Sequence, residues 1–289
     1  MAQTGAGWIP ALGCAVLVAV AGCAPAAPPP PSRQDPSPPT RPPASSAISD
    51  SAVKLPPAGV RFSYQLGGPY PAPAGVGVVG RDRSADPVVG MYSICYVNAF
   101  QAQAEEATWW QQTHPELLLR NDGGLVVDEQ WNEPLLDTNH PERLMDVVGQ
   151  WIDDCARAGY QAVEADNLDS YTRSDGLLDA ADALRFGRLI ADRAHADGIA
   201  LGQKNSAELA AGAHAEGFDF AIAEECQVYN ECDEYTDVYG DALIEVEYSD
   251  QDPNAFATAC RERGAKISVV RRDRELAPAG RAGHLEQWC

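Results

Sequence analysis

The sequence predicts a single α/β domain of the TIM-type (β/α)8 barrel class over residues 61–289, preceded by an export signal and a proline-rich linker. Three observations carry that expectation. Short β-type runs alternate with helical ones, the rhythm of strand–helix units around a parallel sheet. The stretch is long enough for one large core and close to the usual size of such a barrel. Nearly every strand-type run also ends in charged or amide side chains, where a parallel barrel gathers its functional groups. An open doubly wound sheet gives similar alternation, but no GxGxxG follows the first run, so nucleotide binding has no support.

Residues 1–22 read as a lipoprotein signal peptide. Trp8 to Ala21 is apolar, with small residues and one proline, and falls short of the about 20 residues a membrane span requires. It ends in Val20-Ala21-Gly22-Cys23, the small-small-Cys pattern at which Cys23 would become the lipidated N-terminus. Met1 to Gly7 holds no Lys or Arg, so the terminal amine alone supplies the positive charge usual there. Residues 23–60 are dominated by Pro, Ala and Ser and have too few large apolar side chains to fold, so they read as a semi-stiff polyproline tether. The domain is expected outside the cell, on the outer face of the membrane through a lipid anchor, with a released form as the alternative.

Nine runs have strand character: Phe62 to Leu66, Val76 to Val79, Ser93 to Asn98, Leu125 to Val127, Ala162 to Ala165, Ile199 to Gln203, Phe218 to Ala223, Leu243 to Glu247 and Ile267 to Val270. These suit eight barrel strands plus one accessory strand. The clearest helix begins near Pro141, a residue favoured at the first helical position, and stacks Leu144, Val148, Trp151, Ile152 and Cys155 on one face before Gly159 closes it. A second starts at Asp179 as N-cap, aligns Phe186, Leu189, Ile190 and Ala194, and ends at Gly198.

The chemistry concentrates at the strand ends. Arg81-Asp82, Asn98, Asp128, the segment Glu164 to Asp169, Lys204-Asn205, Glu224-Glu225, Glu247-Tyr248 and Arg271-Arg272-Asp273 each follow a β-type run. Taken singly, such a carboxylate is usually a solvated loop residue or half of a salt bridge. Several converging on one mouth raise one another's pKa, so that one is held as an acid while its partner stays ionised. Two carboxylates with separated roles are the machinery of glycoside hydrolysis. A Mg²⁺ or Ca²⁺ site built from Asp166, Asp169, Glu224 and Glu247 competes less well, because Lys204 and the Arg271-Arg272 pair would bring positive charge to the same mouth. No GxSxG elbow occurs, and the five His residues have no metal or triad spacing.

Glu164-Ala165-Asp166-Asn167-Leu168-Asp169, Gln203-Lys204-Asn205, Phe218 to Cys226 and Val246-Glu247-Tyr248, with Ile94 to Asn98 and Trp131 to Asp137 upstream, resemble in order the motifs of the endo-α-1,4-polygalactosaminidase family, glycoside hydrolase family 114. The resemblance covers nearly the whole domain. It implies a barrel, an extracellular setting and hydrolysis of a galactosamine-containing polysaccharide, with Asp166 and Glu224 matching the family's catalytic Asp and Glu; no cofactor is expected. Where the family motif has Glu-Gln-Cys, this chain has Glu224-Glu225-Cys226. Asp166 as nucleophile and Glu224 as general acid/base would require carboxyl groups about 5 to 5.5 Å apart, against about 6.5 to 9.5 Å in an inverting enzyme.

The other tips suit a glycan pocket. Asn167 and Asn205 are placed to bond hydroxyls, and Lys204 to hold a neighbouring carboxylate ionised. Asp169, Glu225 and Glu247 are candidate partners for the ammonium groups of a deacetylated amino sugar, and Glu164 and Asp82 complete the acidic lining. Tyr96, Tyr248, Tyr92, Trp109, Trp110, Trp131 and Tyr171 are candidates for stacking on sugar faces. A net charge of −21 argues against nucleic acid and anionic lipid as partners and favours neutral or cationic ones. Six of the eight cysteines fall in the domain, an even number that suits disulfides. Cys226 with Cys232 is the clearest pair, leaving Cys95 with Cys155 and Cys260 with Cys289. A monomer is expected. The alternative to an enzyme is a surface barrel that binds glycan without cleaving it.

Overall fold

The computed structural model describes residues 53–289. The signal segment, Cys23 and most of the tether lie outside the described residues. Residues 53–60, read above as tether, pack on the barrel: Val53 and Val60 adjoin its interior core and the Lys54 carbonyl accepts from Tyr92 Oη at 2.6 Å.

Eight strands run parallel in chain order: β1 Arg61–Gln65, β2 Val76–Asp82, β3 Tyr92–Asn98, β4 Ala162–Asp166, β5 Ala200–Lys204, β6 Phe220–Glu224, β7 Leu243–Tyr248 and β8 Ser268–Arg272. A ninth, β9 Glu286–Trp288, pairs antiparallel with β8. It bridges to β1 through side chains, Trp288 Nε1 donating to the Phe62 carbonyl at 2.7 Å and Ser63 Oγ to Glu286 Oε1 at 2.7 Å. The result is a nearly closed barrel whose last gap is filled by β9. The count of eight plus one agrees with the sequence, but the ninth strand, Glu286–Trp288, is not among the nine expected runs. Leu125 to Val127 joins no barrel strand. Arg120–Asn121 and Gly124–Leu125 form a hairpin through Asp122 and Gly123, both at positive φ (47° and 84°), and Val127–Asp128 pairs with Glu133–Pro134. Asp-Gly is the strongest short hairpin signal, because a twisted two-residue turn needs two left-handed residues.

Helices follow β3 to β7: α1 Ala107–Thr113, α2 Pro141–Ala158, α3 Ala180–Ala196, α4 Ala210–Ala215, α5 Cys226–Tyr229, α6 Cys232–Tyr239 and α7 Ala255–Glu262. The connections β1–β2 and β2–β3 carry none. The first holds Pro69, Pro71 and Pro73 with three glycines, and the second Pro87 and Gly90, residues that oppose helix propagation. α2 begins at Pro141 and closes on Gly159 at φ 100°, whose N–H returns to the Ala156 and Cys155 carbonyls. Asp179 caps α3 in a reciprocal box with Asp182. The disulfides Cys95–Cys155, Cys226–Cys232 and Cys260–Cys289 fasten α2 to β3, α5 to α6 and α7 to the C-terminus.

Side-chain alternation splits the core into two shells. Outward residues such as Val163, Ala165, Leu201, Ala221 and Ala223 pack beneath the helices, while Phe62, Val78, Ile94, Phe220, Ile222, Ile244 and Val246 fill the interior. The same period of two turns Glu164 and Asp166 inward together and sends Glu245 and Glu247 outward from β7. Gly202 makes room for the Phe220 ring, since a Cβ there would stand 2.5 Å from it. Gly202→Ala is therefore expected to lower unfolding free energy by about 1–3 kcal/mol in denaturant titration. A loss well below that range would mean that the interior is looser than this packing implies.

Candidate active site

Lys204 ends β5 and points up the barrel axis, almost wholly buried. Its ammonium lies 3.4 Å from Glu164 Oε1, 3.4 Å from Asp166 Oδ1 and 3.2 Å from Glu224 Oε2, and 3.2 Å from the Tyr64 hydroxyl. Burial would lower its pKa, but Asp166, Glu224 and Glu164 together hold it well above the ordinary value. Glu164 sits beneath, fully buried, accepting from Tyr64 Oη at 2.5 Å. Burial pushes its pKa up to about 7 against the pull of Lys204.

The two carboxylates above Lys204 are each gripped from several sides. Asp166 Oδ2 accepts from Tyr96 Oη at 2.6 Å. Glu224 Oε2 accepts from Asn205 Nδ2 at 2.9 Å, while Asn205 Oδ1 takes the Glu224 backbone N–H at 2.8 Å. The Tyr248 hydroxyl donates to Glu224 Oε1. Burial alone would raise the Glu224 pKa, but Lys204, Tyr248 and Asn205 outweigh it and hold the group below its ordinary value. Asn167, Asn205 and Glu225, the residues just after β4, β5 and β6, all adopt left-handed backbone (φ 70°, 51° and 62°). Asparagine tolerates this conformation, whereas at Glu225 it costs about 1–2 kcal/mol. The Glu225 N–H bonds the Val246 carbonyl at 2.7 Å and its carboxylate takes Arg274 at 2.6 Å.

These groups open into a cavity of ≈ 490 Å³ at the C-terminal end of the strands. Its walls carry two arginines that the sequence reading did not single out. Arg173 bonds Asp128 at 2.8 Å and both oxygens of Asp169 at 2.8 Å. Arg274 bonds Glu225 and, at 2.7 Å, Asp250. Trp131, 53 % exposed, is the large aromatic that the rim leaves open.

Of the residues named from the sequence, Asp166, Asn167, Asp169, Lys204, Asn205, Glu224, Tyr96 and Tyr248 line this cavity, and Glu164 lies beneath it. Three depart from the expected place. Glu247 faces away from the barrel interior, where Oε1 accepts from the Gln227 N–H at 3.0 Å, because alternation brings Tyr248 inward. Glu225 is turned aside to Arg274. Asp82 serves its own loop, accepting from the Ser84 N–H at 2.8 Å. The Arg271-Arg272 pair does not charge the mouth either: Arg272 is buried under Leu285 and Ala277, and Arg271 faces Gln287. Trp110 is buried against Trp109 and Trp151, and Tyr92 and Tyr171 bond Lys54 and Glu208. Glu133, absent from the sequence reading, lines the cavity. It lies in the stretch Trp131 to Asp137, which carried part of the family resemblance but ended no expected strand.

A barrel whose C-terminal mouth converges on acid side chains held around one lysine is the architecture of a glycoside hydrolase. The chain belongs to glycoside-hydrolase family GH114, whose family model matches residues 42–289. In fold it is similar to Ega3 of Aspergillus fumigatus, solved in complex with galactosamine, at TM-score 0.65 and 21 % identity over 83 % of this chain and 99 % of that one. It is also similar to the glycoside hydrolase domain of PelA from Pseudomonas aeruginosa, at TM-score 0.56 and 13 % identity over 77 % and 98 %. No curated protein matches the chain.

Replacing Lys204 by Met leaves three carboxylates facing one another without their cation, at an expected cost of about 3–5 kcal/mol near neutral pH. Loss of the cation raises their folded-state pKa values above the unfolded ones, so the variant binds extra protons when folded and loses stability as pH rises. Its melting temperature, relative to the parent, is expected to fall further at pH 8 than at pH 5. An equal deficit at both would deny Lys204 this role.

Proposed function

We propose that the protein is an endo-acting hydrolase of α-1,4 bonds in a galactosamine-containing polysaccharide, with Asp166 as nucleophile and Glu224 as general acid/base. The observation that carries this is the shared contact with Lys204. Both Asp166 Oδ1 and Glu224 Oε2 lie within 3.4 Å of one ammonium nitrogen, so the sum of the two reaches limits how far apart those oxygens stand. That ceiling, which applies to the two oxygens facing Lys204, leaves room for the about 5 to 5.5 Å of a retaining pair. Asp166 attacks the anomeric carbon while Glu224 protonates the departing glycosidic oxygen. Glu224 then takes a proton from the water that cleaves the glycosyl–Asp166 ester.

Lys204, Tyr248 and Asn205 hold Glu224 ionised, so its donor role requires uptake of a proton as sugar binds above it. Added burial drives this in the right direction, because burial already opposes the charge on Glu224. Excess acid across the chain suits a cationic glycan, and galactosamine is the sugar bound by Ega3. Three disulfides suit an oxidising, extracellular site of action. Among the described residues no helix is long and apolar enough to cross a membrane, and a lipid at Cys23 is the proposed attachment.

The test is product release from partly deacetylated α-galactosamine polymer. The parent is expected to yield short oligomers, with Asp166→Asn and Glu224→Gln each reducing kcat by about 10²–10⁴ or more. A parent that binds the polymer without cutting it would overturn the catalytic reading in favour of a glycan-binding barrel. Tyr248→Phe removes a donor that favours ionised Glu224, so the acid form persists to higher pH. The alkaline limb of its kcat/KM profile is expected to move upward, whereas an unmoved limb would exclude Glu224 as the titrating acid.

A further inference from the structure

The acid side chains expected to receive a substrate ammonium are already engaged. Asp169 and Asp128 share Arg173, Glu225 is bonded by Arg274, and Glu247 is outside the cavity. Among the described residues, Glu105, Glu133 and Glu275 line the cavity without a basic partner, and of these Glu105 and Glu275 are exposed while Glu133 is half-buried. The Glu133 carboxylate is also built in. Its Oε2 accepts from Asn98 Nδ2 at 2.9 Å. The Gln101 amide, oriented so that its oxygen faces Arg173, donates to the same oxygen at 3.0 Å. Oε1 has no partner among the described residues.

Asn98 ties this carboxylate to the catalytic pair. Its Oδ1 accepts from Asn167 Nδ2 at 3.0 Å, and Asn167 Nδ2 stands 3.5 Å from Asp166 Oδ2. We propose that Glu133 is the specificity residue for a free amine: its open oxygen takes the ammonium of the amino sugar at, or next to, the bond being cleaved. This rests on the reading of the cavity as a galactosamine-polymer site and adds the discrimination of amine from acetamide. An N-acetyl group in that place would offer a neutral N–H and a methyl, leaving the carboxylate without its counter-charge.

The electrostatics agree. Burial raises the Glu133 pKa to about 7, opposed by the Asn98 hydrogen bond and reinforced by Asp166, Asp128 and Glu105. An entering ammonium relieves that repulsion. Because only the ionised carboxylate attracts it, amine binding should weaken as pH falls through about 7.

The experiment measures binding of galactosamine and N-acetylgalactosamine oligomers by calorimetry in the Glu224→Gln background, with and without Glu133→Gln. Glu133→Gln is expected to weaken the amine oligomer about tenfold, the scale of one lost charge-assisted hydrogen bond, and to flatten its pH dependence. The acetylated oligomer should change less than about twofold by the same reasoning, which also shows that the variant is folded. Equal weakening of both oligomers, or of neither, overturns the assignment even where the parent cuts the polymer. Absence of binding by either oligomer overturns it as well, and an inert parent in the same preparation shows that the proposed function has failed with it.

Discussion

Everything in the cavity depends on one buried ammonium. Three carboxylates reach Lys204 from β4 and β6, and without it their mutual repulsion in a barrel interior would force protons onto them or open the structure. The interaction is mutual, since the carboxylates hold Lys204 charged in a place where burial would discharge it. The three acids are nevertheless unequal. Glu164 has a pKa near 7 and no access to the cavity, whereas Glu224 has additional donors on both oxygens and is held ionised. On a lysine they share, the extra donors at Glu224 and the deeper burial of Glu164 thus separate the acid states of chemically similar side chains, the condition that two-carboxylate catalysis requires.

The fold supplies that lysine with partners through simple periodicity. A strand alternates, so Glu164 and Asp166 share the interior with Lys204, Glu224 and Tyr248, the last inward residues of their strands. Beyond β4, β5 and β6 a left-handed residue turns the chain sharply, and at two of these three turns that residue is an asparagine bonded into the acid cluster. The barrel wall is completed by β9, whose Trp288 and Glu286 bond β1. The seam lies where the two ends of the sheet order meet, and the charge cluster is built on β4 to β6 in the middle of that order.

The legible parts of the structure were those governed by strong local rules. Pro141, Asp179 and Gly159 marked helix ends because their backbone preferences act within one turn. Eight of the nine strand runs, corresponding to β1 through β8, gave the parallel barrel; the exception is Leu125 to Val127. That run failed because three apolar residues beside an Asp-Gly turn are a hairpin arm, and the turn outranks the run. Strand-end position located Asp166, Lys204 and Glu224, but it treats inward and outward neighbours alike, which is why Glu247 was misplaced beside Tyr248. Arg173, Arg274 and Glu133 sit on connecting segments, and their role is fixed by which acid each one meets across the cavity. No local pattern encodes that.

The central claim is that Asp166, steadied by Lys204 and Tyr96, attacks the sugar. The measurement that addresses it most directly is peptide mass spectrometry after rapid quenching of the enzyme with an activated galactosaminide. The account predicts a glycosyl adduct on the peptide containing Asp166, enriched when Glu224 is replaced by Gln and breakdown of the ester is slowed. An adduct on Glu224, or steady turnover with no covalent species at any quench time, would contradict it.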